Sequence, residues 1–333
     1  MLVVAAVAYY RLLYIPAHTP RGEGANVLPL SVDVMDTPAE VRNVIGHLRS
    51  GDRVDVLART AHWSEVRMPQ GGNGWVESKD LLDAATYQRG AALLKDLEDY
   101  PRQAAGHTSA VTNLHLEPAR DSTVLAELAA SQPLEIFDRR VVDRPPDDRV
   151  PAETSRLHDV WYLVRANSRA GWVLGRLVDL DVPLEISPYA EGMNMVAWLV
   201  LRTVDDGAKA VPEYLVADRI GTEDVDFNHV RVFNWWVKHH KYVTAYVESN
   251  LAGYFPMTTK QMTDAGFFAQ RSPYFRLRLV GSDGHKFQKV YGLFETIVRP
   301  LGTVEGWDSE AMPERPVREA RRHESAHRRR VRR

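Results

Sequence analysis

The residues best placed to do chemistry in this chain are aromatic and basic, and they come in a repeated spacing. Trp63-x-x-Val66-Arg67 is followed by Gly74-Trp75-Val76, and Trp161-x-x-Val164-Arg165 by Gly171-Trp172-Val173. An indole offers a flat apolar face with one N–H donor, and a guanidinium offers a fixed fork of donors. Such pairs hold a ligand; they do not break bonds. The 333 residues include no cysteine, so thiolate nucleophiles, disulfides and cysteine-ligated zinc are all excluded.

Other chemistries find little support. His239-His240 invites a metal, but neighbours on a strand point to opposite faces, so with Lys238, Lys241 and His229 they are expected to form a basic, exposed strand edge. The carboxylate pairs Asp147-Asp148, Asp205-Asp206 and Asp224-Asp226 fall in polar, turn-like stretches and are expected to be turn and solubility residues. Gly71-Gly72-Asn73-Gly74 lacks the helix and lysine of a phosphate loop. No zincin, nucleophile-elbow, Walker or dinucleotide-binding pattern occurs. The expectation is therefore no catalytic residue, no metal and no cofactor. A net charge of -2 gives the whole molecule no electrostatic pull toward nucleic acid.

The elements that must position these residues are themselves repeated. Ile45-Gly46-His47-Leu48 corresponds to Leu125-Ala126-Glu127-Leu128, and the alternating run Arg53 to Leu57 to Leu134-Glu135-Ile136-Phe137. Upstream, Val32-Asp33-Val34 before Pro38 is matched with Leu114-His115-Leu116 before Pro118. Each copy reads as a small closed sheet of about 60 residues, whose core needs a few large side chains. The tryptophans are expected to supply them. Gly74 and Gly171 mark tight turns or close backbone approaches. The charged, proline-bearing segment 138–159 reads as a loop inserted into the second copy.

The succession of a strand closed by a proline turn, I-G-x-L, G-D-x-V-x-V-L, W-x-x-V-R and G-W-V resembles the bacterial SH3 domain family. The likeness covers about 31–82 closely and about 110–180 more loosely. It implies a five- or six-stranded barrel that attaches wall enzymes or envelope proteins to peptidoglycan or peptides. Within it, Trp63 and Trp161 with Arg67 and Arg165 are the ligand-binding candidates, and Trp75, Gly74, Trp172 and Gly171 the structural core. The first copy departs from the family at Val32 to Pro38, where the usual arginine and glycine are missing. That departure bears on the ligand groove more than on the fold.

The expected fold is mainly β: two small SH3-like barrels in tandem at 25–83 and 107–182, joined by a linker helix within 84–106, then an antiparallel β-domain at 187–310. In that domain Met195 to Val204, Val211 to Ile220, His229 to Val237, Lys241 to Ser249, Tyr274 to Val280 and Phe287 to Val298 read as strands, with a hairpin turn at Ser282-Asp283-Gly284. Of Trp235 and Trp236, adjacent on a strand, one is expected in the core and Trp236 is the third-domain contact candidate. The apolar start, 1–24, is read either as a buried strand or as part of an export or anchor segment. The end, 311–333, is a basic tail: from Pro313 it holds nine arginines against three glutamates. It is expected to be solvated or to tether the chain to an anionic surface.

These features point to a non-catalytic cell-envelope protein, periplasmic or membrane-anchored, that binds peptidoglycan or a protein peptide. The alternatives are an intracellular, cytoplasmic scaffold joining protein partners and a wall hydrolase using carboxylates of the last domain. No specific nucleic acid partner is expected.

Overall fold

The computed structural model describes residues 23–143, 158–207, 209–221, 224–262 and 272–313. Most of the apolar start and of the basic tail, and Asp147-Asp148, lie outside the described residues. The described chain is mainly β, with three seven-stranded antiparallel sheets and one α-helix.

The first sheet comprises β1 (Glu23–Val27), β2 (Ser31–Met35), β3 (Val44–Arg49), β4 (Arg53–Arg59), β5 (Trp63–Arg67), β6 (Asn73–Glu77) and β7 (Leu81–Asp83), in the order β3-β2-β6-β5-β4-β1-β7. Helix α1 (Ala84–Asp96) follows, capped by Asp83, whose carboxylate accepts from the Thr86 N–H at 2.9 Å. The second sheet comprises β8 (Ala104–Thr108), β9 (Thr112–His115), β10 (Val124–Leu128), β11 (Pro133–Asp143), β12 (His158–Ala166), β13 (Arg169–Leu174) and β14 (Val178–Leu180). Its order, β10-β9-β13-β12-β11-β8-β14, is that of the first sheet with every label raised by seven. The sequence repeat is thus a repeat of topology.

Register agrees at the level of single residues. Trp63 lies opposite Glu77, Glu65 opposite Trp75 and Val66 opposite Gly74; Trp161 lies opposite Leu174, Leu163 opposite Trp172 and Val164 opposite Gly171. One correspondence drawn from the sequence needs correction. Met35 and His115 both face the tryptophan of G-W-V, so Val34, not Val32, is the counterpart of Leu114. Sliding by two residues also puts Pro38 and Pro118 at equal distance from the strand. The glycines are fixed by this crossing: a Cβ on Gly74 would sit 2.3 Å from Val34 Cγ1, and one on Gly171 2.6 Å from the His115 carbonyl oxygen.

The first core is built without tryptophan. Ala25, Val27, Val32, Val34, Leu48, Val54, Val56, Val66 and Val76 fill it, all small or aliphatic. Period-2 alternation decides this, because Ser64 and Val66 point inward and Trp63, Glu65 and Arg67 therefore point out. The expectation that tryptophans supply the core fails in the first copy; in the second, Trp172 is buried as expected and Trp161 with it, but in a cluster on the outer face of the sheet.

The segment expected as an inserted loop is shorter than 138–159. β11 and β12 pair from Glu135 with Arg165 to Asp143 with His158, so its flanks form a long hairpin. Asp138, Arg139 and Arg140 hide the alternation: Arg139 has its partner, Asp226, in another domain, while Arg140 lies 4.0 Å from Asp138 and over the Trp172 ring.

That domain is a meander of β15 (Asn194–Asp205), β16 (Ala210–Arg219), β17 (Phe227–Trp236), β18 (Lys241–Met262), β19 (Ser272–Val280), β20 (Lys286–Phe294) and β21 (Ile297–Glu305), each strand beside the next. The run Phe287 to Val298, expected as one strand, is a hairpin that turns at Glu295, a non-glycine residue with φ 53°. The sheet curls around Leu199, Leu215, Val232, Met257, Phe275 and Tyr291. Asn234 Nδ2 donates to the Thr296 carbonyl at 2.9 Å, and Arg202 reaches the Glu295 carbonyl.

The outer face of the meander shares a core with the second sheet: Leu134, Tyr162 and Val178 belong to one cluster with Trp198, Tyr214 and Phe233. Gln103, fully buried, locks the seam by accepting from the Met257 N–H at 2.9 Å and donating to its carbonyl at 3.0 Å. Beside it Arg139 pairs with Asp226 at 3.1 Å, both buried. Asp226 is an interface residue, contrary to the turn reading.

Asp138 neighbours this pair. Burial first, and the Asp226 charge second, push its carboxyl up to about 6 from 3.8. The folded state thus holds the proton more tightly than the unfolded chain. The cost of ionising Asp138 is absent below about pH 3.8, grows as pH rises, and is complete above about 6. Asp138→Asn is expected to raise stability by about 2 kcal/mol at pH 8 and by nothing measurable at pH 3.5. Urea titrations at the two pH values check this, and an equal effect at both would refute it.

Candidate functional site

The outer faces of β5–β6 and β12–β13 are the same surface used in two ways. In the second copy it comprises Phe137, Trp161, Leu163, Ala170, Trp172 and Leu174, every one buried. The linker covers it. Leu97, just past the end of α1, is 3% exposed and inserts among these six side chains, with Leu93, Leu94 and Tyr100 around it. Trp161 is only 2% exposed and packs edge-on against His115, with ring centroids 5.2 Å apart. It cannot present its indole to a ligand, which corrects its place among the binding candidates. Burial in turn pushes the His115 imidazole pKa down.

In the first copy the six register-equivalent positions are Leu57, Trp63, Glu65, Asn73, Trp75 and Glu77. None of these is buried. Trp63 and Trp75 are both half-buried, so Trp75 is a surface residue and not the core residue expected. Arg42 lies over Trp63, its Cζ 4.7 Å from the ring centroid, a cation–π contact that holds the indole in place. Arg67 lies 3.9 Å from Asp55 across the β4–β5 ladder, and Arg165 is bound by Glu135 at 2.5 Å in the equivalent place. The arginines of the W-x-x-V-R phrase are therefore held on the outer face in both copies. Only the first copy leaves an indole beside its arginine open to solvent.

In the third domain Trp235 packs on the shared core, edge-on to Tyr242 at 4.9 Å, while Trp236 is 45% exposed. His239 and His240 lie in the β17–β18 turn, where Val237–His239 is a single 3-10 turn and His240 has φ 47°. They are not on a strand edge. His239 packs at a tilt against Trp236, with ring centroids 3.9 Å apart, and His240 Nδ1 contacts Asp206 at 2.8 Å. His229 is also misplaced by the sequence reading. It is buried, with Nδ1 2.9 Å from Asp218, which accepts two further bonds from Arg231 at 2.8 Å. Arg231 continues to the Tyr189 carbonyl at 2.5 Å, so the network pins the 187–193 segment onto the sheet. No signal in the sequence ties Asp218, His229 and Arg231 together, because they meet only through the register of β16 and β17.

Among the described residues no cluster of three or more His, Asp or Glu side chains suits a metal ion, and no helix is long and apolar enough to cross a membrane.

No protein-family model matches the chain, and no curated protein matches its sequence. Among solved structures, NlpC2 from Trichomonas vaginalis is similar at a TM-score of 0.18 and 9% identity, covering 70% of this chain and 98% of that one. NlpC1 from the same organism gives 0.17 and 8%, covering 68% and 92%. An NlpC/P60 family protein from Bacillus cereus gives 0.23 and 10%, covering 68% and 94%. Scores this low bear neither on fold nor on activity.

Proposed function

We propose that the chain is a non-catalytic binding protein of the cell envelope, built on two domains of the bacterial SH3 type, that takes peptidoglycan or a protein peptide on the open face of the first. The observation that carries this reading is the division of labour between the copies. Two sheets of identical strand order and register carry the same tryptophan-bearing face, and one is covered by the chain's own linker while the other is left to solvent. Trp63, Trp75, Arg42 and Arg67, together with Glu65 and Glu77, then form an aromatic surface of mixed charge on a β-ladder, which suits recognition of a polar ligand. The second copy acts as a mount, since it shares its core with the third domain. Trp236 offers a separate contact on that domain.

The test is co-sedimentation of the intact chain with purified sacculi and with envelope extracts. Trp63→Ala is expected to lower the bound fraction at least tenfold, while Trp236→Ala changes it less. Absence of sedimentation with either material would remove the reading. Fractionation of native cells checks the envelope assignment, and a wholly cytoplasmic distribution would replace it with the scaffold.

A further inference from the structure

The occupied face of the second copy shows what kind of side chain the open face of the first would accept. Leu97 is the knob that the linker adds to the buried cluster of Phe137, Trp161, Leu163, Ala170, Trp172 and Leu174. Position by position, the first copy keeps both tryptophans and an aliphatic residue, Leu57, but replaces Leu163 with Glu65, Ala170 with Asn73 and Leu174 with Glu77. The walls stay apolar and the rest of the lining becomes acidic and polar. Glu77 is engaged by Lys79 at 2.6 Å. Glu65, half-buried and directly opposite Trp75, has no ion-pair partner among the described residues.

We propose that this face reads a single lysine or arginine side chain presented by a helical segment of a partner protein. The proposal rests on the reading of the Trp63 face as the ligand surface, and names what enters it. Arg42 already lies over Trp63, so the apolar stem of an incoming lysine or arginine would lie along the Trp75 indole, with its cationic head at Glu65 and the Asn73 side-chain carbonyl. A leucine in the same place would strand the Glu65 carboxylate against an apolar group, with no compensating bond. The helical frame follows from the second copy, where the knob comes from the end of α1. Both copies would then receive a helix end, one apolar and internal, the other basic and external.

The experiment titrates the intact chain with two labelled peptides copying Ala84–Gln103, one native and one carrying Leu97→Lys, followed by fluorescence polarisation. The Leu97→Lys peptide is expected to bind at least tenfold tighter than the native one, and the gap should narrow as salt rises. Glu65→Gln should close most of it, and Glu65→Leu with Glu77→Leu should reverse it; Trp75→Ala should weaken the Leu97→Lys peptide at least tenfold. Equal affinities in the unaltered chain, or no binding of either peptide, would overturn the proposal. Sacculi that still sediment the chain in that event would leave the proposed function standing, and their failure as well would remove both.

Discussion

Trp161→Ala is expected to destabilise the protein by about 3–5 kcal/mol, and Trp63→Ala by less than about 1 kcal/mol, although the two residues occupy the same register position. Trp161 is 2% exposed, walled by Leu97, Leu163, Trp172 and Leu174 and by the His115 ring. A tryptophan buries roughly 150–250 Å², worth about 4–6 kcal/mol at ~25 cal/mol per Å². Truncation also leaves a cavity beneath a linker that cannot collapse into it. Trp63 loses only its contact with Arg42 and a partial shield from water. Urea unfolding of the two variants measures the difference, and similar midpoints would show that the linker does not seal the second face. The ligand assay should order them the other way, since only Trp63 faces solvent.

Removing the carboxylate of Asp226 is the second large expected effect. Asp226→Ala removes the carboxylate that pairs with the buried Arg139 guanidinium at 3.1 Å, at a cost of about 3–5 kcal/mol. It also deprives the Phe255 N–H of its acceptor, which Asp226 now supplies at 2.8 Å. The damage falls at the seam between the β11–β12 hairpin and the third domain, so limited proteolysis should cut the hairpin before global unfolding. Pairing the change with Arg139→Met is expected to recover most of the loss, because the guanidinium that lost the Asp226 carboxylate is then removed with it. If the double variant is less stable than Asp226→Ala alone, the seam depends on further bonds of Arg139, such as that to the Val225 carbonyl at 3.2 Å.

Much of the fold was legible in local pattern. The two W-x-x-V-R and G-W-V phrases mark strands that pair in the same register, and Asp83 caps the helix that follows. In the third domain most of the strands stand out by alternation. The missed strand β21 shows the limit: its turn has Glu295 in a left-handed conformation in place of a glycine or asparagine, so nothing in the residue types marks it. The hairpin flanks at 138–143 were equally hidden, because a buried Arg139 looks like loop composition until Asp226 is brought to it.

The candidate site was legible only by type. The sequence by itself determined that two related β-units exist, that they carry an aromatic and basic phrase at equal spacing, and that cysteine chemistry is absent, since these follow from residue identity and periodicity alone. Only the tertiary structure decided which tryptophans meet solvent. Equal positions on equal sheets differ in exposure because α1 and Leu97 lie over one face, whereas the other carries Arg42 over Trp63 and stays half-exposed. Burial of a side chain is set by what packs against it from elsewhere in the chain, and a local spacing rule carries no record of that.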